Sequence, residues 1–298
     1  MDDFILIANP ISGKGKAKTV AEHTHNVLTT KEFNGELKLT TGSGDAKQFA
    51  QDAVSNGIKW VIVCGGDGTL HEAVNGIANT PDVTLGLIPA GRGNDLATAI
   101  GIPRKPEQAI DTLFTGEKKN IDLGYVKSEK GTEHYFSTIA TCGYDTEVSR
   151  RGSERSTPFS GTASYIYAAI VTLFHYKNPF VQIEADFGTH EGPLLLAATG
   201  ITKSYGGGFQ IVPNAVFDDG LFDVCVIRPV SKITVLRLMV TLFWGGHVNH
   251  HAVDIQRTRS MRIETNPPIM LYADGEPMCE TPATIEIIKH GLTILVPS

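Results

Sequence analysis

The chain has few cysteines, no excess of positive charge and no long apolar run, and each shortage excludes a class of protein. Its four cysteines, Cys64, Cys142, Cys225 and Cys279, are scattered without a CxxC pair. That excludes a thiolate zinc site of ordinary spacing and fits a reducing cytosol. A net charge of −6 argues against a protein held on nucleic acid by bulk positive charge, so no nucleic-acid partner is expected. The longest apolar stretches, 165–174 and 235–244, are far short of the roughly 20 residues that span a bilayer. Residues 4–8 are apolar but lack the basic start and length of an export signal, so the expected location is cytoplasmic.

What is present suffices for two domains: 298 residues, 41% of them apolar. Through residue 120, short β-rich runs (4–8, 37–41, 60–64, 84–88) alternate with helical patterns (20–28, 46–56, 70–78, 96–100). Such alternation predicts crossover units and a parallel sheet with helices on both faces. Closely spaced strand candidates follow (135–141, 181–187, 194–199, 222–228, 261–265, 269–273, 284–288, 292–296), which reads as mainly antiparallel β. The natural cut lies near 120–125. One helix interrupts the second half at 233–244, where Val235, Leu236, Met239, Val240 and Phe243 recur at helical spacing; the stripe is expected to pack on the core, with a lipid-contacting surface as the alternative. Residues 149–164, polar and rich in glycine, serine and arginine, read as a mobile loop.

The chemistry concentrates in glycine-rich turns. Trp60 to Val63 lead through Cys64 into Gly65-Gly66-Asp67-Gly68, and a helix follows at once, with Thr69 and Glu72 spaced as a capping box. A helix N-terminus behind glycines is an anion site, because free N–H groups and the positive dipole end face the guest and missing side chains let phosphate approach. Asp67 inside that turn would repel phosphate unless a divalent cation lay between them or it took a hydroxyl proton. Asn9-Pro10-Ile11-Ser12-Gly13-Lys14-Gly15-Lys16 and Gly91-Arg92-Gly93-Asn94-Asp95 follow two other strands and meet at the same edge if the sheet is parallel. Lys14, Lys16 and Arg92 supply charge suited to triphosphate. None of these turns is a P-loop or completes GxGxxG, which removes the nucleotide-binding ATPases and dinucleotide dehydrogenases with those signatures.

In the second half, Asp218-Asp219-Gly220 and Asp274-Gly275-Glu276 are first of all hairpin signals, but Asp219 and Glu276 exceed what turning needs. Phosphoryl transfer to an alcohol often requires a carboxylate near the attacking hydroxyl, and Glu276 is the candidate base. His247, His250 and His251 follow Gly245-Gly246 without a carboxylate motif and suit a loop or helix cap better than a metal.

Together, Asn9-Pro10-Ile11-Ser12-Gly13, Gly44-Asp45-Ala46, the stretch from Gly65 to Gly76, Gly91 to Ala97, Gly206-Gly207-Gly208, Pro213-Asn214-Ala215, Asp218-Asp219-Gly220 and Asp274-Gly275-Glu276 resemble the diacylglycerol kinase catalytic-domain family, especially its bacterial lipid kinases. The resemblance implies an N-terminal α/β domain (1–122, joined by the C-terminal strand 291–298) and a C-terminal β-sandwich domain (123–290) for the lipid. It implies ATP and Mg²⁺ as cofactors and an ATP-dependent kinase acting on a lipid hydroxyl. Nucleotide contacts carried over are Asn9, Pro10, Ser12, Gly13, Thr40, Gly65, Gly66, Asp67, Gly68, Thr69, Leu70, His71 and Glu72; Glu276 and Asp67 are catalytic. A structural metal would sit on Asp219 with the carbonyls of Val216 and Leu221, supported by Asp122 through water. Arg92 replaces a hydroxyl residue common in bacterial members and is carried as a phosphate contact. Implied partners are a lipid presented by a membrane and transient peripheral contact with the inner membrane surface; a homodimer is compatible with the sequence. Two alternatives stay open: a kinase of a soluble substrate such as NAD, whose kinases share the central turn, and a nucleotide- or lipid-binding regulator without catalysis.

Overall fold

A computed structural model describes residues 4–153 and 162–298. In chain order the elements are β1 (Phe4–Ala8), α1 (Lys16–Thr30), β2 (Gly35–Leu39), α2 (Asp45–Ser55), β3 (Trp60–Gly65), α3 (Asp67–Ile77), β4 (Thr84–Pro89), α4 (Asp95–Ala99), α5 (Pro106–Thr115), β5 (Glu117–Ser128), β6 (Glu133–Phe136) and β7 (Ile139–Gly143). They continue with α6 (Tyr144–Ser153), α7 (Thr162–His175), β8 (Phe180–Ala185), β9 (Gly188–Pro193), β10 (Leu196–Gly200), β11 (Phe222–Ile227), α8 (Lys232–Thr241), β12 (Val253–Thr258), β13 (Ser260–Asn266), β14 (Met270–Ala273), β15 (Glu276–Glu280) and β16 (Ala283–Val296).

β1, β3 and β4 are buried along their whole length, as strands covered on both faces must be, and they pair in parallel in the order β2-β1-β3-β4. The chain leaves β1 toward β2 on one side and reaches β3 on the other, so a crevice opens at the carboxyl ends of β1 and β3. The same sheet continues through β16, β13, β8 and β9, with β5 and β6 attached, while β12-β11-β10-β7-β14-β15 form a second, antiparallel sheet. Val126, Phe136, Val181, Phe222, Val224 and Ile263 fill the layer between the two, giving the C-terminal antiparallel sandwich.

Two long strands join the halves. β5 runs unbroken through 120–125: Ile121 and Leu123 belong to the core of the α/β half and Val126 to that of the sandwich. β16 pairs with β5 along its length and lies parallel to β4 at Thr293 and Ile294.

Some elements differ from the sequence reading. The run 135–141 is interrupted at Ser137 and Thr138, between β6 and β7. Of the supposed loop 149–164, 149–153 end α6 and 162–164 begin α7; 154–161 lie outside the described residues. In α8 only Val235 and Leu238 are buried, whereas Leu236, Val240 and Phe243 are exposed, so the apolar stripe is wider than the surface it covers. His247 is buried, with Nε2 on the Ile211 carbonyl at 2.9 Å; desolvation lowers its pKa, as expected of a core histidine. All four cysteines are buried free thiols, and burial pushes Cys64 up to about 12. Among the described residues no helix is long and apolar enough to cross a membrane.

Candidate active site

The three glycine turns of the α/β half touch one another. A Cβ built on Gly91 would lie 2.4 Å from the Gly66 Cα, and one on Gly13 would lie 2.7 Å from the Ala90 carbonyl oxygen. Side chains at either place would push the turns apart. After β1, Gly13, Lys14 and Gly15 take φ of 61°, 61° and 88°, a left-handed run closed by the Gly15 N–H on the Ile11 carbonyl (3.2 Å). Asn9 Oδ1 accepts the N–H of Ile11 (3.1 Å) and shapes this loop. Lys14, Lys16 and Arg92 are exposed, Ser12 is half-buried, and Thr40 closes β2 with its N–H on the Ala8 carbonyl.

α3 begins at Asp67 behind Gly66, which has no side chain to cap it, so its first-turn N–H groups are left for a ligand. The capping box does not form, because Thr69 lies within the first turn and its side chain packs against Gly65. Glu72 instead reaches α2, accepting from Gly44 N–H (2.8 Å), Ala46 N–H (3.1 Å) and the Ser43 hydroxyl (3.2 Å). Leu70 and His71 are buried.

Asp67 stands at the centre. Its Oδ2 accepts from Asn94 N–H (2.9 Å) and its Oδ1 from Asp95 N–H (2.8 Å), which ties the start of α3 to the start of α4. Asp95 then reaches the other half: its carboxylate accepts from Gly206 N–H (2.8 Å) and Gly207 N–H (3.0 Å). Burial, then the charge of Asp67, pushes Asp95 up to about 6, against the pull of those two N–H groups. Tyr205, one residue earlier, donates to Asp145 of α6, whose carboxyl is pushed up to about 7 by burial.

From the sandwich comes the turn between β14 and β15. Asp274, at φ 54°, has a side chain only 4% exposed and accepts from Ser137 N–H (3.0 Å), Thr138 N–H (2.9 Å) and the Thr138 hydroxyl (2.6 Å). The break between β6 and β7 provides those donors. His71 Nδ1 lies 3.0 Å from Asp274 Oδ2, so a proton on Nδ1 faces the carboxylate, and Asn75 holds β6 beside it, its amide donating to the His71 and Tyr135 carbonyls (2.9 and 2.8 Å). Burial alone would raise the Asp274 pKa, but the bonds from His71, Thr138 and Ser137 outweigh it and hold the group below the usual carboxylate range. With the turn pinned to α3, Glu276 Oε1 lies 2.9 Å from where a Cβ on Gly68 would stand. Burial raises the Glu276 pKa, the charges of Glu72 and Asp274 add to it, and His71 opposes.

Asp67, Gly68 and Glu276 therefore converge, whereas Asp219, Val216 and Leu221 lie elsewhere, wrapped around Asp122. The buried Asp122 carboxylate accepts from Gly220 N–H (2.6 Å) and His290 N–H (2.8 Å), and its N–H donates to the Phe217 carbonyl (2.8 Å). Asp219 accepts the N–H of Leu221 (3.0 Å) and is already paired with the Arg257 guanidinium, which also lies 3.4 Å from Asp223. A metal ion there would have to displace a cation that already neutralises the carboxylate, so this set does not fit the structural metal without rearrangement.

The sequence reading did not single out Ser137, Thr138 or Asp145. Asn75, Asp95 and Gly206-Gly207 stood inside noted motifs, but nothing in the sequence linked Asp95 to Gly206, 111 positions on.

Comparison with known proteins bears on this geometry. Residues 3–126 match the diacylglycerol kinase catalytic domain, and residues 138–296 match the YegS C-terminal NAD kinase beta sandwich-like domain. The chain is 36% identical over 297 residues to a diacylglycerol kinase of Mycobacterium tuberculosis, covering 98% of this chain and 94% of that one. It belongs to the diacylglycerol kinase family. A second member, from Staphylococcus carnosus, is 30% identical over 98% of this chain and 94% of its own length. The fold follows suit: a diacylglycerol kinase structure from Bacillus anthracis superposes with a TM-score of 0.80 at 25% identity, covering 99% of this chain and 97% of that one. Yeast NADH kinase shares the fold alone, with a TM-score of 0.53 at 12% identity over 100% of this chain and 84% of its own.

Proposed function

We propose that this family member is an ATP-dependent lipid kinase that transfers the γ-phosphoryl group to the hydroxyl of diacylglycerol or a closely related lipid. The observation that carries the proposal is Glu276 Oε1 held over Gly68, which puts a carboxylate of raised pKa at the uncapped N-terminus of α3. The β- and γ-phosphates rest on the N–H groups of the turn Gly66 to Thr69, with Lys14, Lys16 and Arg92 near enough in the chain to screen their charge. Glu276 accepts the proton of the lipid hydroxyl as its oxygen attacks the γ-phosphorus; the bond to the bridging oxygen breaks and ADP leaves. A positioned base contributes on the order of 10²- to 10⁴-fold.

Asp67 and Asp95 are neighbouring carboxylates, and burial first and then the charge of Asp67 raise Asp95, a donor set that favours a compensating cation. Mg²⁺ accompanying the triphosphate fits there, held by Asp67, and would neutralise phosphate charge. The names of the family members above favour diacylglycerol over a soluble acceptor.

Labelled γ-phosphate from ATP should enter a lipid extract and not NAD offered in parallel, and Asp67→Ala or Glu276→Ala should abolish incorporation. Label on NAD instead of lipid, or full activity in Glu276→Ala, would remove the proposal.

A further inference from the structure

α7 and α8 lie on the outer face of the second sheet, where Ala169, Leu173, Val235 and Leu238 pack against Ile139, Leu196 and Ile227. Their opposite faces are also apolar and have nothing over them among the described residues. Ile170 and Phe174 of α7 are 43% and 60% exposed; Ile233 and Val240 of α8, and Phe243 and Trp244 just after it, are 56–66% exposed. Lys232 joins the two helices, its ammonium on the Phe174 carbonyl (3.1 Å) and 4.9 Å from the Phe174 ring centre. The two exposed apolar faces thus adjoin at Lys232 and Phe174.

Charge chooses its occupant. The chain as a whole carries −6, yet residues 162–183 and 224–253 contain no aspartate or glutamate, while Lys177, Arg228, Lys232 and Arg237 are there. On the neighbouring α6, Glu147 is offset by Arg150 and Arg151. An apolar face with aromatic residues at its margin and basic charge in excess around it is what an anionic lipid surface attracts. A helix of 14 residues and one of 10 are too short to cross the hydrocarbon and would lie in the interface. The surface also adjoins the cleft. The Gln210 N–H donates to the Leu242 carbonyl (2.8 Å), Phe209 packs on Phe243 with ring centres 4.8 Å apart, and the same loop holds Asp95 through Gly206 and Gly207.

We infer that the outer faces of α7 and α8 seat the protein on an anionic bilayer, with the loop 205–210 between the docked surface and the phosphate site. This deepens the lipid-kinase proposal and rests on it for its purpose, but the binding itself is measured without ATP. The full chain should sediment with vesicles of mixed phosphatidylglycerol and phosphatidylcholine, bind pure phosphatidylcholine less, and be released several-fold by raised salt. Ile233→Asp/Val240→Asp should lower partitioning by about tenfold or more, since each side chain loses most of its transfer gain. Arg237→Glu should weaken binding to the anionic vesicles alone. Both variants should melt as the unaltered chain does and keep its activity on a short-chain lipid dispersed in solution.

Unaltered vesicle binding by Ile233→Asp/Val240→Asp and Arg237→Glu, or none by the parent chain, overturns the inference. So does a solution dimer that Ile233→Asp/Val240→Asp splits, which would assign the surface to a second copy. Vesicle binding by a chain that phosphorylates no lipid in any form leaves docking standing and removes the kinase proposal instead.

Discussion

Replacing Gly68 by alanine separates catalysis from folding. Gly68 is the second residue of α3 and does not need a positive φ, so the backbone accepts alanine without strain. In a helix the change is expected to stabilise by roughly 0.5 kcal/mol, up to about 1. For a protein of this size that corresponds to a melting temperature raised by about one to three degrees. The new Cβ, however, would stand 2.9 Å from Glu276 Oε1 and 3.9 Å from its Cδ. Ordinary contact needs about half an ångström more, and the end of a flexible side chain yields before the helix does. The proposed base therefore moves while the protein tightens.

Misplacing a reacting group by about 1 Å costs on the order of 10²-fold, so half that displacement sets the expected loss in kcat at about tenfold. Steady-state kinetics with ATP and a dispersed lipid, alongside thermal melts, read both effects. The cycle with Glu276→Gln is decisive: if alanine acts by displacing the base, it lowers kcat less than about twofold once the base is gone. An equal tenfold loss in both backgrounds would mean that the methyl group obstructs phosphate, and the placement of Glu276 would lose its support.

Asp274→Asn should destabilise by roughly 2 kcal/mol at pH 7, because the buried donors of Ser137, Thr138 and His71 lose a charged acceptor. The folded pKa of Asp274 is depressed, so its contribution is present above the ordinary aspartate value of about 3.9 and fades as pH falls through the lower folded value. Melts of the two proteins should accordingly draw together below about pH 4; a gap constant down to pH 2 contradicts the pairing. Glu72→Ala should cost about 1 kcal/mol by stripping the α2 N-terminus, with the KM for ATP unchanged, whereas a tenfold rise in that KM would put Glu72 on the nucleotide. The raised pKa of Glu276 predicts that kcat/KM climbs with pH through an acid limb above the usual glutamate value of about 4.3. That limb should vanish from the residual activity of Glu276→Gln, and its persistence would assign it to another group.

The α/β side of the candidate site was legible because its signals are local. Four apolar β formers, glycines and a helix-forming stripe from 60 to 78 specify strand, turn and helix start within one segment, and a parallel sheet then brings three such turns to one edge. Glu72 shows the limit of local reasoning. Its spacing from Thr69 fits a capping box, yet a stronger demand, the uncapped start of α2 packed beside α3, takes its carboxylate. The Asp95 to Gly206-Gly207 link has no local signature, since a backbone N–H looks the same at every residue. The outward face of α8 was left open for a related reason: helical spacing of Leu236 and Val240 reports that apolar residues share a face, not that anything covers it.

The turn between β14 and β15 shows why the two halves must meet for chemistry. Its two acids are two residues apart and have opposite environments. Asp274 is surrounded by donors from β6–β7 and by His71 of α3, so it stays ionised and binds the sandwich to the α/β half. Among the described residues no donor bonds the Glu276 carboxylate; it is partly desolvated and faces the charges of Glu72 and Asp274, so its proton affinity rises. The same turn thus separates a locking carboxylate from one suited to take a proton, as environments that push two pKa values apart do in acid–base sites. Because His71 sits one turn along α3 from the glycines that would hold phosphate, the lock fixes Glu276, the proposed base, against the helix end rather than merely against the other domain.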